Sequence, residues 1–313
     1  MSATGGTGWW PPGPRSPGLT TLVVGGTGML GHRVWLAADR RGPAWATVRA
    51  PMLTPALATV LPGDRAIVGV AADDLEGVSQ AMDRARPDLV VNCVGVVKQA
   101  DEASDPVPSI IVNSLFPHRL AALCRERGAR LVHISTDCVF SGRRGSYGED
   151  DLPDPVDLYG RSKLLGEAAG PGSLTVRTSF IGRELAGGRG LLEWFLSKRG
   201  GHAPGFTRAV FSGLTTAAAA EAVLDLGTGD RAIEGVVHLA GPPVDKYRLL
   251  VMLRDAYGID VDVVPDESVV IDRSLNGAML EARSGWRPPT WEAMIPELTA
   301  DPFPYEQVRA EAC

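Results

Sequence analysis

The sequence predicts an α/β fold: a Rossmann-like, doubly wound parallel sheet followed by a smaller C-terminal α/β substrate lobe. Three observations predict it. Short β-branched runs alternate with helix-period segments through the first half of the chain, as strands joined by crossover helices do. A glycine-rich turn links the first of these runs to the first helical segment. Pro87-Asp88 ends one helical segment directly before the apolar run Leu89-Val90-Val91, which suits a strand buried on both faces.

In order, Leu19 to Val24 reads as a strand, and Met29 to Ala38 as a helix with apolar residues at Leu30, Val34 and Ala37. Strands follow at Ala44 to Val48, Ala66 to Val70, Leu89 to Cys93 and Leu131 to Ser135, with helices at Leu75 to Arg86 and Ile110 to Arg127. After Gly172 the alternation loosens. Strands are expected at Leu174 to Arg177 and Val236 to Leu239, and helices at Leu191 to Lys198, Ala217 to Leu226 and Val244 to Tyr257. Before all of these, Trp9-Trp10-Pro11-Pro12-Gly13-Pro14 can neither start a helix nor pair as a central strand. Residues 1–18 are therefore expected to be a disordered leader.

Charge and composition exclude several classes. The 313 residues carry 31 Lys and Arg against 37 Asp and Glu, a net charge of −6. No basic run exceeds the pairs Arg40-Arg41 and Arg143-Arg144, so no nucleic-acid footprint is expected. No uncharged apolar stretch reaches the length of a bilayer span, and the expectation is a cytoplasmic protein without a membrane partner. Cys93, Cys124, Cys138 and Cys313 are too scattered for a disulfide framework. The histidines at 32, 118, 133, 202 and 238 show no ligand spacing, and no metal is expected.

Gly-Gly-Thr-Gly occurs twice, and context separates the copies. Gly5 to Gly8 follows no strand and runs into Trp-Trp-Pro-Pro, whereas Gly25 to Gly28 ends a strand and opens a helix. There, Gly25, Gly28 and Gly31, with Met29 and Leu30 between them, form the turn that lets backbone approach a dinucleotide pyrophosphate. Where the second strand should end, Arg49 stands in place of the acid that grips a ribose 2′-hydroxyl. A guanidinium accommodates a 2′-phosphate, which favours NADP(H) over NAD(H).

The chain has only four lysines, at 98, 163, 198 and 246, and Lys163 stands four residues after Tyr159. On a helix the two share a face, and an ammonium beside a phenol favours the phenolate. Bringing a tyrosine from ~10 to ~7 requires about 4 kcal/mol, far more than an exposed pair supplies. The pair must therefore sit in a cleft. Upstream, the strand Leu131 to Ser135 runs into Thr136 and Asp137, at the strand end where open α/β sheets bind ligands. A hydroxyl from Thr136 or Ser135 could hold a carbonyl oxygen there while Tyr159 delivers a proton.

Together, Gly25 to Gly31, the segment Ser135-Thr136-Asp137-Cys138-Val139-Phe140-Ser141-Gly142 and Tyr159-Gly160-Arg161-Ser162-Lys163-Leu164-Leu165-Gly166-Glu167 resemble the extended short-chain dehydrogenase/reductase superfamily. Within it the chain is similar to dTDP-4-dehydrorhamnose reductase-like proteins, and the likeness runs from about Leu19 to Trp291. The resemblance implies a catalytic triad of Thr136, Tyr159 and Lys163. It implies a cofactor site that adds Cys93 and Val94 to the glycine loop, Arg49, Tyr159 and Lys163. The substrate side would comprise Lys98, Thr136, Asp137, Cys138, Phe180 and Arg273, with Asn113 positioning the site. Residues 19–178 would form the NAD(P)-binding domain and 179–313 mainly the substrate lobe, the chain crossing back between them.

The implied activity is NADPH-dependent reduction of a keto group on a nucleotide-activated deoxysugar, with a homodimer as the expected assembly. The alternatives are an epimerase or dehydratase on the same fold and a non-catalytic NADP-binding regulatory subunit. Cys138, Phe180, Ala71-Ala72 and Lys98-Gln99-Ala100-Asp101 depart from the family's usual residues. The departures concentrate on the sugar-facing side.

Overall fold

The computed structural model describes residues 18–96, 105–229 and 233–312, so that Lys98 and all of the expected leader except Gly18 lie outside the described residues. The first half contains β1 (Thr21–Val24), α1 (Gly31–Asp39), β2 (Ala44–Val48), α2 (Pro55–Val60), β3 (Ala66–Val68), α3 (Leu75–Ala85) and β4 (Leu89–Asn92). There follow α4 (Pro106–Ser109), a π-helical segment Ile110–Leu115, α5 (Phe116–Glu126), β5 (Arg130–Thr136), α6 (Leu158–Leu165) and β6 (Ser173–Thr178). The remainder comprises β7 (Phe180–Ile181), α7 (Leu191–Leu196), β8 (Gly201–Phe206), β9 (Ala209–Phe211), β10 (Leu214–Thr215), α8 (Thr216–Thr228) and β11 (Gly235–His238). The chain closes with β12 (Val244–Asp245), α9 (Lys246–Tyr257), β13 (Val261–Asp266), β14 (Ile271–Asp272), α10 (Ala278–Ser284), α11 (Trp291–Thr299) and α12 (Tyr305–Ala312).

Seven parallel strands form the central sheet in the order β11-β6-β5-β4-β1-β2-β3. Alternation along each strand assigns its side chains to two layers. Val23, Val91, Val132 and Ile134 join one core with Val34 and Trp35 of α1 and Ala219, Val223 and Leu226 of α8. Leu22, Val24, Val90 and Leu131 face the other way, onto Val78 and Met82 of α3 and Phe116, Leu120 and Cys124 of α5. Burial on both faces explains why these strands read as unbroken apolar runs.

The strand order reverses between β1 and β4, and the crevice at their carboxyl ends is where this architecture receives ligands. The last strand of the sheet, β11, comes from the far half of the chain and pairs with β6.

By length and composition, Pro106–Glu126 is the helical run among the described residues that could cross a membrane. It carries Arg119, Arg125 and Glu126, and Phe116, Leu120 and Cys124 put one face of it in the core.

The far half holds three small sheets, β7 with β10, β12-β9-β14, and β8 with β13. The helix expected from Val244 starts two residues later, because Asp245 caps it by accepting from Arg248 N–H at 2.8 Å. Val244 and Asp245 pair instead with Phe211 and Val210.

Candidate active site

At the end of β1, Gly26 N–H donates to the Thr47 carbonyl at 2.9 Å and Gly25 N–H to Thr47 Oγ1 at 3.1 Å. The turn is thereby pinned to β2. A Cβ on Gly31 would overlap the Gly25 carbonyl oxygen, so the first turn of α1 packs on the loop only with glycine there. Leu30 is buried in the core below, and the Met29 methyl lies against Gly190. At the end of β4, Cys93 N–H donates to the Val24 carbonyl at 3.0 Å, and Asn92 Oδ1 accepts from Val94 N–H at 3.1 Å.

Gly25, Gly28, Met29, Leu30, Gly31, Cys93 and Val94 are thus gathered around the crevice. Arg49 follows β2 directly and is exposed. Burial pushes the Cys93 thiol up to about 12, so it stays neutral. A cradle of backbone at a helix start, closed to a Cβ at Gly25, Gly26 and Gly31, fits a dinucleotide pyrophosphate.

Thr136 ends β5, which is buried along its whole length. Asp157 caps α6 by accepting from Gly160 N–H at 2.8 Å, and this helix carries Tyr159 and Lys163 to the same strand end. Thr136 is the neighbour that pulls the Tyr159 phenol down. Lys163 is 4% exposed and its ammonium donates to the Ile134 carbonyl at 2.6 Å, beside Gly95 at the exit of β4. Burial lowers its pKa to about 8, against the opposing pull of Glu167 and Cys93.

Tyr159 departs from expectation. Burial, reinforced by Cys138 and Asp137, pushes its phenol well above the usual range, with Thr136 the one partner that pulls it down. Desolvation of the phenolate outweighs the lysine here, since the Lys163 ammonium is directed at a backbone carbonyl.

Asn113 stands in the π-helical segment and is fully buried. Its Oδ1 accepts from Val96 N–H at 2.9 Å, and its Nδ2 donates to the Val96 carbonyl at 3.0 Å and to Ser162 Oγ at 3.1 Å. Ser114 Oγ donates to the Ser162 carbonyl at 2.8 Å. The wider turn brings both side chains onto α6, a use of π geometry common at functional sites. Gly166 permits the approach, because a Cβ there would overlap the Asn113 carbonyl.

The substrate-side residues divide. Asp137 is buried, and burial raises its carboxyl against Arg273 and Lys246, which both lower it. Arg273 Nε donates to the Phe140 carbonyl at 3.0 Å, which fixes it beside the loop that follows Thr136. The Cys138 thiol is pushed up to about 12 by burial and by Asp137. Phe180 packs against the main core.

Lys246 was not foreseen. Its ammonium lies 4.0 Å from the centre of the Phe211 ring, and its charge acts on Asp137 and Cys138. Its rarity as one of four lysines was the available signal. Glu167 and Arg177 were also passed over; they form a buried ion pair, with Glu167 accepting from Ser135 of β5.

Residues 19–241 match the RmlD substrate binding domain. The dTDP-4-keto-6-deoxy-D-glucose reductase of Streptomyces niveus is 36% identical over 130 residues, 39% of this chain and 45% of that one. Methionine adenosyltransferase 2 subunit beta of Danio rerio is 33% identical over 163 residues, 49% and 43% of the two chains. These alignments span less than half the length of the curated relatives. The dTDP-4-dehydrorhamnose reductase of Bacillus anthracis, solved in complex with NADP, superposes with a TM-score of 0.74 at 18% identity, covering 90% of this chain and 99% of that one. The family match covers every central strand, the turn that carries Gly25, the strand end at Thr136 and the helix that carries Tyr159 and Lys163, and on that extent the chain belongs to the RmlD substrate binding domain family.

Proposed function

We propose that the protein is an NADPH-dependent reductase of a keto group on a nucleotide-activated deoxysugar. The observation that carries this reading is the convergence of Thr136, Tyr159 and Lys163 at the carboxyl end of β5, beside the glycine-loop crevice. The reduced nicotinamide supplies the hydride when bound. Thr136 holds the carbonyl oxygen, and Tyr159 passes its phenolic proton to that oxygen as the alkoxide forms. The raised pKa of Tyr159 suits this direction, because it keeps the proton on the acid until an alkoxide demands it. Lys163 anchors the nicotinamide ribose and supplies positive charge next to the phenol.

The test is stoichiometric. The full chain oxidises one NADPH per nucleotide-linked 4-keto-6-deoxyhexose reduced, and prefers NADPH to NADH. Arg49→Ala erases that preference by raising the KM for NADPH alone. Turnover of the sugar without net NADPH oxidation would mean an epimerase or dehydratase. The Danio rerio relative favours a second reading, a regulatory subunit that keeps the cofactor site. Absence of turnover with every 4-keto sugar, with NADPH still bound, would support it.

Lys246 and Arg273 bear on the substrate. Strand β9 brings them together: Asp245, just before Lys246, pairs with Val210, and Arg273 N–H donates to the Val210 carbonyl at 3.0 Å. Two cations against the single carboxylate of Asp137 leave one positive charge for the diphosphate of a nucleotide sugar. Lys246→Met is expected to raise the sugar-nucleotide KM about tenfold, the ~1.4 kcal/mol of one charge-assisted contact, with the KM for NADPH unchanged. A KM within twofold of wild type would remove Lys246 from the site.

A further inference from the structure

Below the catalytic strand runs a buried polar chain that the proposed chemistry does not use. Arg177 of β6 grips Glu167 bidentately, Nε to Oε1 and Nη2 to Oε2, each at 2.8 Å. The two side chains are only 5% and 7% exposed. Ser135 Oγ donates to Glu167 Oε1 at 2.8 Å. Arg177 Nη1 lies 3.3 Å from His238 Nε2, and His238 Nδ1 lies 3.0 Å from the Tyr147 carbonyl. One tautomer satisfies both contacts, with the proton on Nδ1 and Nε2 accepting from the guanidinium. Burial and Arg177 lower the His238 pKa to about 4, which keeps that neutral form.

This chain meets the active site at consecutive residues of β5. Lys163 donates to the Ile134 carbonyl, and Glu167 accepts from Ser135. Lys163 lies in the last turn of α6 and Glu167 just beyond its Gly166 cap, so the end of one helix braces one stretch of strand with both a lysine and a carboxylate. Thr136 is the next residue of that strand.

The groups that face Lys163 are few. Glu167 follows its own helix, Cys93 lies at the end of β4 and His133 on β5. The thiol stays protonated, as its raised value requires. His133 stays neutral, held well below its usual value by burial and by Lys163 itself. Glu167 is the one carboxylate among them.

We propose that Glu167, locked by Arg177 and seated on Ser135 next to the Ile134 carbonyl that Lys163 holds, is a positioning residue for Lys163. The role presupposes the reductase reading, in which a charged Lys163 serves the reaction. Arg177 fixes the carboxylate on Ser135, the residue next to the Ile134 carbonyl that Lys163 holds. Through His238 and the Tyr147 carbonyl, the same brace ties the catalytic strand to the loop that Ser274 binds from the far half, where Tyr147 N–H donates to the Ser274 carbonyl at 2.9 Å.

Four lysines in the full chain make the test direct. Lysine-labelled protein without cofactor is titrated by heteronuclear NMR, the Lys163 signal being the one lost in Lys163→Met. Wild-type Lys163 should titrate near 8, and Glu167→Gln should move it down by about one unit, the size of a close charge contact. Glu167→Asp should recover at least half of that shift.

Because Glu167→Gln orphans a buried guanidinium, Glu167→Gln/Arg177→Met serves if the single variant does not fold. The carboxylate rather than the guanidinium acts on Lys163, so the double variant should also titrate below wild type. In turnover, the alkaline limb of kcat/KM should move to lower pH in step with the NMR shift. A folded variant whose Lys163 titrates within about 0.3 unit of wild type would overturn the proposal, as would a uniform drop in kcat with an unmoved pH profile. A wild type that reduces no keto sugar defeats the reductase reading, and the NMR titration still decides what Glu167 does to Lys163.

Discussion

Tyr159→Phe should lose at least about 10²-fold in kcat, the lower range of a general-acid contribution, while NADPH affinity stays near wild type. The substitution removes one hydroxyl and leaves the ring. That hydroxyl does little for the bound ketone, whose oxygen also has Thr136, and acts chiefly once negative charge develops. An interaction made in the transition state lowers kcat and kcat/KM together, so the sugar KM should change by less than about threefold. Stopped-flow measurement of NADPH oxidation and fluorescence titration of cofactor binding separate the two effects. Retention of more than a tenth of wild-type kcat would leave the reaction without its proposed acid.

The pH dependence should follow the same assignment. With Tyr159 well above the usual phenol range and Lys163 at about 8, the first proton lost on raising pH belongs mainly to the lysine. Activity in the reductive direction is therefore expected to decline as pH passes about 8, through loss of the ammonium rather than of the catalytic proton.

The parallel sheet was legible because β1, β2, β4 and β5 are buried on both faces and carry the β-branched runs that such burial selects. The meeting of Tyr159 and Lys163 on one helix and the glycine turn after β1 were legible for a related reason, since each depends on local spacing, four residues along a helix or three along a turn. The far half was harder. The strand Gly201–Phe206 has the sequence Gly-His-Ala-Pro-Gly-Phe and pairs in parallel with Val261–Asp266. No β-branched run marks it, and its partner lies far along the chain.

Lys246 escaped notice for the same reason. On its own helix it is an ordinary first-turn residue. It acquires meaning only when β9 brings Asp245 beside the strand that also holds Arg273. The sign of the Tyr159 shift was misjudged because spacing shows that a lysine is near, while burial and the direction of its ammonium are tertiary facts.

Lys163→Met should abolish most of the activity and make the protein more stable. The ammonium is almost completely buried, and its pKa falls from 10.5 to about 8 on folding. At about 1.4 kcal/mol per unit, the folded state pays about 3 kcal/mol to keep that lysine protonated. Methionine has a similar length, no charge and a flexible thioether that fits irregular space, so the variant avoids this cost. Glu167 loses a favourable neighbour but keeps Arg177 and Ser135.

The gain has a defined pH window. Below about 8, Lys163 is protonated in both states and the full penalty applies. Between about 8 and 10.5 the folded protein has released the proton and the unfolded chain has not. Wild-type stability therefore rises with pH across that interval relative to the variant, and above it the difference vanishes. Thermal melts of both proteins from pH 7 to 10.5 should show the variant melting a few degrees higher at pH 7, with the gap closing as pH rises. Turnover should fall about 10²-fold or more, as when a preorganised charged donor is removed. A variant that melts lower than wild type at pH 7, or a gap that does not depend on pH, would show that Lys163 is not held in the folded state at a cost for the sake of its charge.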